Sequence, residues 1–282
     1  QSAVDAAVDG GHILLSDGVF SGAGNRDVDV IGKRVNIRSV SEDPTLCIID
    51  CFDADGAPHR ALAYHSTGTP ASQLVGVTIT SGHVPGGDGG AVLVGNAGAI
   101  YMRDCILRRN EAARGGAVAS DSSALLQFHE CEFSRNAADE GGAVWSRDSN
   151  VGLTTCTIAE NTAELGSGLS LAGGSFSAIQ SIIAFGAPGG AVAGIAVSPG
   201  FSCSDVYGNQ GGDEMFGSRV LYDDPLFCDI YSEDLNLCEN SPCRSVNNEW
   251  NFLMGSFRAV CDKECTSPVS ETSWGAIKAM YR

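Results

Sequence analysis

Aromatic residues make up only 7% of this chain and charged residues 18%, and outside the extreme C-terminus no segment sustains a 3.6-residue apolar period. A helical bundle is therefore excluded. Basic residues are scarce, 17 Lys and Arg against 34 Asp and Glu, for a net charge of −17. Neither a nucleic-acid backbone nor an anionic membrane surface suits such a chain. Glycine is abundant at 36 of 282 residues but lacks the triplet period of collagen, and the 43% hydrophobic content is too high for a disordered chain. No nucleophile elbow, phosphate-binding loop or dinucleotide fingerprint occurs, and His12, His59, His65, His83 and His129 show no metal-ligand spacing. No resident metal or cofactor is expected. The sequence also has no Asn-x-Ser/Thr glycosylation signal.

What is present is a repeat. Gly89-Gly90-Ala91-Val92, Gly115-Gly116-Ala117-Val118 and Gly141-Gly142-Ala143-Val144 recur every 26 residues, with weaker copies at Gly166 and Gly189. Two further columns keep nearly the same step: Val77, Cys105, Cys131, Cys156, Ser181 and Gly82, Asn110, Asn136, Asn161, Gly186. Within each period the apolar residues form short alternating runs, which predicts three short strands separated by three corners. Turns stacked ~4.8 Å apart would make three parallel sheets around a narrow core. Leu107, Phe133, Ile158 and Ile183 are expected to stack inward, as are Met102, Phe128 and Leu153. The Asn column is expected to form an amide ladder at a corner. No formal charge occurs between Glu164 and Asp205, but Pro188, Pro199 and many Gly and Ser make that belt a poor membrane helix.

The pairing of Gly-Gly-Ala-Val with Leu107 to Asn110, Phe133 to Asn136 and Ile158 to Asn161 resembles the repeats of polymorphic outer-membrane proteins and related right-handed β-helices. His12 to Cys51 similarly resembles the opening turns of pectate-lyase-like proteins. The resemblance spans roughly residues 1–227 and implies an all-β right-handed parallel β-helix, a fold that carries adhesins, fibres and polysaccharide-degrading enzymes. No run of alternating ~10-residue strands follows, so an autotransporter barrel is not expected.

The domain reading is a β-helix over 1–227, clearest over 76–209, a Cys-rich cap over 228–265, and a linker with an amphipathic helical tail over 266–282. Ser2 to Val8 is expected to form a short helix covering the first turn. Eleven Cys point to an oxidising compartment, and a start at Gln1 fits removal of a signal peptide, so a secreted or surface location is expected. Cys47 and Cys51 are candidates to pair at a corner. Cys203, Cys228, Cys238, Cys243, Cys261 and Cys265 form a second set whose pairing the sequence leaves open, with zinc on Cys261 and Cys265 as a lesser alternative. Cys105, Cys131 and Cys156 suit either disulfides between neighbouring turns or buried thiols. In the tail, Trp274, Ile277, Met280 and Tyr281 form an apolar helical face, a candidate subunit contact.

If the chain is an enzyme, its best carboxylate pair is Asp104 and Glu130, at equivalent corners of consecutive turns with Arg103, Arg108, Arg109 and Arg135 nearby. The column stops there, since Thr155 and Gln180 follow. Gly86-Gly87-Asp88-Gly89-Gly90 resembles a calcium-binding glycine repeat but occurs once. The reading these features favour is a secreted structural or adhesive protein that self-assembles head to tail. The alternatives are a polysaccharide lyase or hydrolase and a non-catalytic carbohydrate-binding module.

Overall fold

The computed structural model describes residues 1–65, 71–95, 98–121, 124–195, 199–213, 217–256, 260–261 and 263–267. They form a parallel β-solenoid with three faces. Sheet A contains Gly11–Leu15, Val35–Ser39, Ser72–Val75, Ala99–Arg103, Leu125–His129, Asn150–Thr154 and Ser175–Ile179. Sheet B contains Gly18–Ser21, Cys47–Asp50, Thr78–Thr80, Ile106–Arg108, Glu132–Ser134, Thr157–Ala159 and Ile182–Ala184. The long strand Pro199–Tyr207 closes both, and Gly217–Leu221 adds to its edge. Sheet C runs from Val28–Ile31 through Leu62–His65, Val92–Val94, Val118–Ser120, Val144–Arg147 and Leu169–Ala172 to Val192–Ile195.

Register explains why the repeat folds this way. Leu107 lies opposite Phe133, Phe133 opposite Ile158, and Ile158 opposite Ile183, all buried. Met102, Phe128 and Leu153 align in the same manner on sheet A. Each large side chain removed from water here contributes roughly 1.5–3 kcal/mol, so the core is a stack of short apolar columns. The first Gly of the three regular pairs, Gly89, Gly115 and Gly141, holds a left-handed backbone; at Gly141, φ is 67° and a Cβ would fall 2.3 Å from Val144 O. Its neighbour Gly142 has no room either, because a Cβ would fall 2.3 Å from Ser167 O of the next turn.

The Asn column is the expected ladder. Oδ1 of Asn136 accepts from both the backbone N–H and the side-chain amide of Asn110, and Oδ1 of Asn161 does the same for Asn136. The ladder ends at Asn209, where Asp213 accepts from the backbone and side chain in place of another rung. In the Cys column each thiol donates to the carbonyl two residues back: Cys105 to Arg103, Cys131 to His129 and Cys156 to Thr154. Ser181 and Ser204 make the equivalent bond with a hydroxyl. These three Cys are buried thiols.

At the first turn, a helix of one turn, Ser2–Ala6, inserts Val4 but leaves Val8 exposed. The Cys-rich segment does its covering from the side, packing along sheet B. Met254, Leu235, Leu237 and Cys243 cluster with Ala159, Ile182 and Ala184, and the backbone N–H of Ser256 donates to Thr157 Oγ1 at 2.9 Å. Among the described residues no helix is long and apolar enough to cross a membrane. Trp274, Ile277, Met280 and Tyr281 lie outside the described residues.

Candidate functional site

The Cys-rich segment packs on sheet B and leaves sheet A with an outer face of mostly polar side chains. Strict alternation puts its inward residues in the core and lines the outside with two columns. One column aligns His12, Asn36, Gln73, Tyr101 and Gln127, and the other aligns Leu14, Arg38, Val75, Arg103 and His129. Parallel in-register strands are the reason residues far apart in sequence become neighbours here. A groove of about 380 Å³ opens over the first turns, lined by His12, Asn36, Arg38, Glu42, Gln73 and Arg103. At Gly152 the outer column loses its side chain, and Gln127 lies over the gap, since a Cβ on Gly152 would fall 2.6 Å from Gln127 Oε1.

Asp104 and Glu130 occupy consecutive corners between sheets A and B, both with positive φ, 51° and 53°. Arg103 donates to Asp104 Oδ2 at 2.5 Å and to Glu42 Oε2 at 2.7 Å, and Arg38 donates to Glu42 Oε1 at 2.9 Å. These contacts hold the Glu42 carboxyl below its usual range, with the Arg103 hydrogen bond the main cause. Burial pushes the Glu130 carboxyl up, and a hydrogen bond with Asp104 adds to the rise. The two carboxyls are thus brought together as expected. They stand on the ridge beside the groove, however, and neither lines it.

The structure also joins residues that carry no local signal. Glu233, with a side chain 7% exposed, accepts from Arg109 at 2.6 Å and from Arg108 and Arg135 at 3.1 Å each. Arg135 also pairs with Glu160 at 2.7 Å. Glu233 thus pins the Cys-rich segment to two consecutive arginine-bearing corners. His59 lies between Asp27 Oδ2 at 2.5 Å and Asp53 Oδ2 at 3.0 Å, and Arg26 pairs with the same Asp53 oxygen. His59 and His83 also exchange two backbone hydrogen bonds of 2.8 Å, which tie the loop after Asp50 to the solenoid. Asp88, in the glycine-rich stretch, is engaged by Arg114 through two hydrogen bonds. That pairing engages both oxygens of the Asp88 carboxylate.

Two disulfides are present, Cys228–Cys261 and Cys238–Cys265. Cys47 and Cys51 do not pair; they flank an extended strand, which separates them by ~13 Å at ~3.3 Å per residue, beyond disulfide reach. Cys203 and Cys243 are likewise buried thiols, and Cys243 donates to Asp205 Oδ2 at 3.3 Å. No family model matches the chain, and no curated protein is similar enough to match it.

Proposed function

We propose that this chain is a secreted structural or adhesive β-solenoid that associates end to end with copies of itself. The observation that carries the reading is the first turn. Gly11–Leu15, Gly18–Ser21 and Val28–Ile31 each stand at the edge of their sheet. Beside the one-turn helix an apolar pocket of about 100 Å³ opens among Ile13, Leu15, Phe20, Val28, Ile37 and Ile49. Leu14, Val19 and Ile31 are exposed on the same three strands. Unpaired parallel edges beside apolar surface favour the addition of further strands. A contact between the unlike ends of a solenoid does not close on itself, so repetition gives a filament. Two disulfides in the described residues support an oxidising, extracellular setting.

Light scattering over a concentration series, with electron microscopy of the same samples, tests the reading. Mass should rise with concentration, and Val19→Lys with Ile31→Lys should suppress the rise. Monomers at every concentration in native buffer would sink it.

The groove over sheet A favours a second reading, a non-catalytic carbohydrate-binding face. Its amide, imidazole and guanidinium groups suit the hydroxyls and carboxylates of an acidic polysaccharide. Glycan-array binding that is lost on Gln73→Ala and Asn36→Ala, without release of product, would select this reading. Product release that is lost on Asp104→Ala would instead establish a lyase or hydrolase.

A further inference from the structure

The Cys-rich segment gathers more sulfur into one place than two separate crosslinks require. Phe227–Asp229 runs antiparallel to Asp234–Cys238, which pairs in parallel with Val260–Cys261, so three short strands bring Cys228, Cys238 and Cys261 together. Their Sγ atoms all lie within 4.8 Å of one another, and those of Cys238 and Cys261, which are not bonded to each other, are 3.4 Å apart. Cys265 joins the group through its bond to Cys238. This is the one group of three or more metal-ligating side chains found among the described residues.

We propose that these four cysteines, once reduced, form a tetrathiolate site for a thiophilic divalent cation of the zinc class. The two disulfides are then its oxidised, metal-free form. Four sulfurs ~2.3 Å from a tetrahedral zinc ion stand ~3.8 Å apart, close to the spacing already present between Cys238 and Cys261. Backbone bonds hold the ligand positions independently of the disulfides. Cys238 N–H donates to Leu226 O at 2.9 Å, and Asn240 clamps Cys265 from both sides, accepting from its N–H at 2.9 Å and donating to its carbonyl at 2.8 Å. Cys228 and Cys238 are buried, while Cys261 and Cys265 are half-exposed, which leaves one side for the ion to enter.

The chemistry balances with a dithiol reductant. Each disulfide takes up two electrons and two protons from one dithiol, which becomes a cyclic disulfide, and the four resulting thiols release their protons as the cation binds. The proposal is independent of end-to-end association.

The test uses the full chain, reduced anaerobically with a dithiol, separated from it and titrated with cobalt(II) chloride. Cobalt–thiolate absorption should appear, saturate at one equivalent and vanish on addition of zinc chloride, while the unreduced chain shows none. Cys228→Ser with Cys265→Ser should abolish the absorption, and Cys203→Ser with Cys243→Ser should retain it. No absorption in the reduced chain overturns the proposal, whether or not the segment stays folded. So does absorption that survives the first double variant or is lost in the second.

Discussion

The side-chain amide of Asn136 donates to Oδ1 of Asn161 at 2.9 Å, while its own Oδ1 accepts from the backbone and side chain of Asn110 at 3.1 and 2.9 Å. Asn136 also donates to Leu107 O at 2.9 Å, and all three Asn are buried. A single side chain thus bonds to the turns on both sides of its own.

Asn136→Ala should therefore be costly. It strands buried donors on Asn110 and a buried acceptor on Leu107, each worth about 1–3 kcal/mol. The expected loss is about 3 kcal/mol or more in denaturant unfolding, against about 1 kcal/mol for an ordinary substitution. Asn136→Asp should not rescue it, because a carboxylate cannot donate to Leu107 or Asn161. A loss below about 1 kcal/mol would mean that the ladder is not a main support of the fold.

The ladder's missing rung at Gly186 has a steric cause. A Cβ there would fall 2.0 Å from Ser167 Oγ, which itself donates to Gly189 O at 3.0 Å. Gly186→Asn alone should cost about 1–3 kcal/mol by overpacking. Combined with Ser167→Gly, the new Asn loses its closest clash and keeps only a 2.9 Å approach to Asn209 Oδ1, which already accepts from the Gly186 N–H at 3.0 Å. A double-mutant cycle should show favourable coupling above about 1 kcal/mol, and simple additivity would contradict the steric account.

Asp205 links stability to pH. It is fully buried on sheet B, and its carboxyl is pushed from 3.8 up to about 7, chiefly by burial, with Asp223 and Asp224 contributing repulsion against hydrogen bonds from Cys243 and Asp223. Because the folded pKa lies above the unfolded one, the folded state binds this proton more tightly. Its contribution is fully present below pH ~4, is lost as pH rises to ~7, and then stays lost, a difference on the order of 4 kcal/mol. Asp205→Asn should flatten the stability profile between these limits and raise the melting temperature at pH 8. An unchanged slope would assign the dependence to other groups.

Tyr64 places its hydroxyl in the core with no hydrogen-bond partner among the described residues, in register between Val30 and Val94. Burial pushes that hydroxyl's pKa far up. Tyr64→Phe removes an uncompensated polar group without changing the ring, so stability should hold or rise by about 1 kcal/mol. A clear loss in chemical denaturation would show that the hydroxyl is satisfied.

Much of this molecule is legible along the chain, and the reason is periodicity. In a parallel solenoid each residue sits beside its equivalent one turn later, so a fixed step between Cys105, Cys131 and Cys156, or among the Asn, maps directly onto spatial neighbours. The same logic places Asp104 beside Glu130. It fails where contacts are not periodic. Nothing local marks Glu233 as the partner of Arg108, Arg109 and Arg135, or sets His59 between Asp27 and Asp53. Nor could spacing choose Cys228 with Cys261 and Cys238 with Cys265 from six candidates, or show that Cys47 and Cys51 are held apart by an extended strand. The sequence by itself determined the solenoid, its columns and its corners. Only the tertiary structure decided which flank the Cys-rich segment covers and where the sulfurs of Cys228, Cys238 and Cys261 converge. Those outcomes depend on long-range packing and desolvation, which no repeating step encodes.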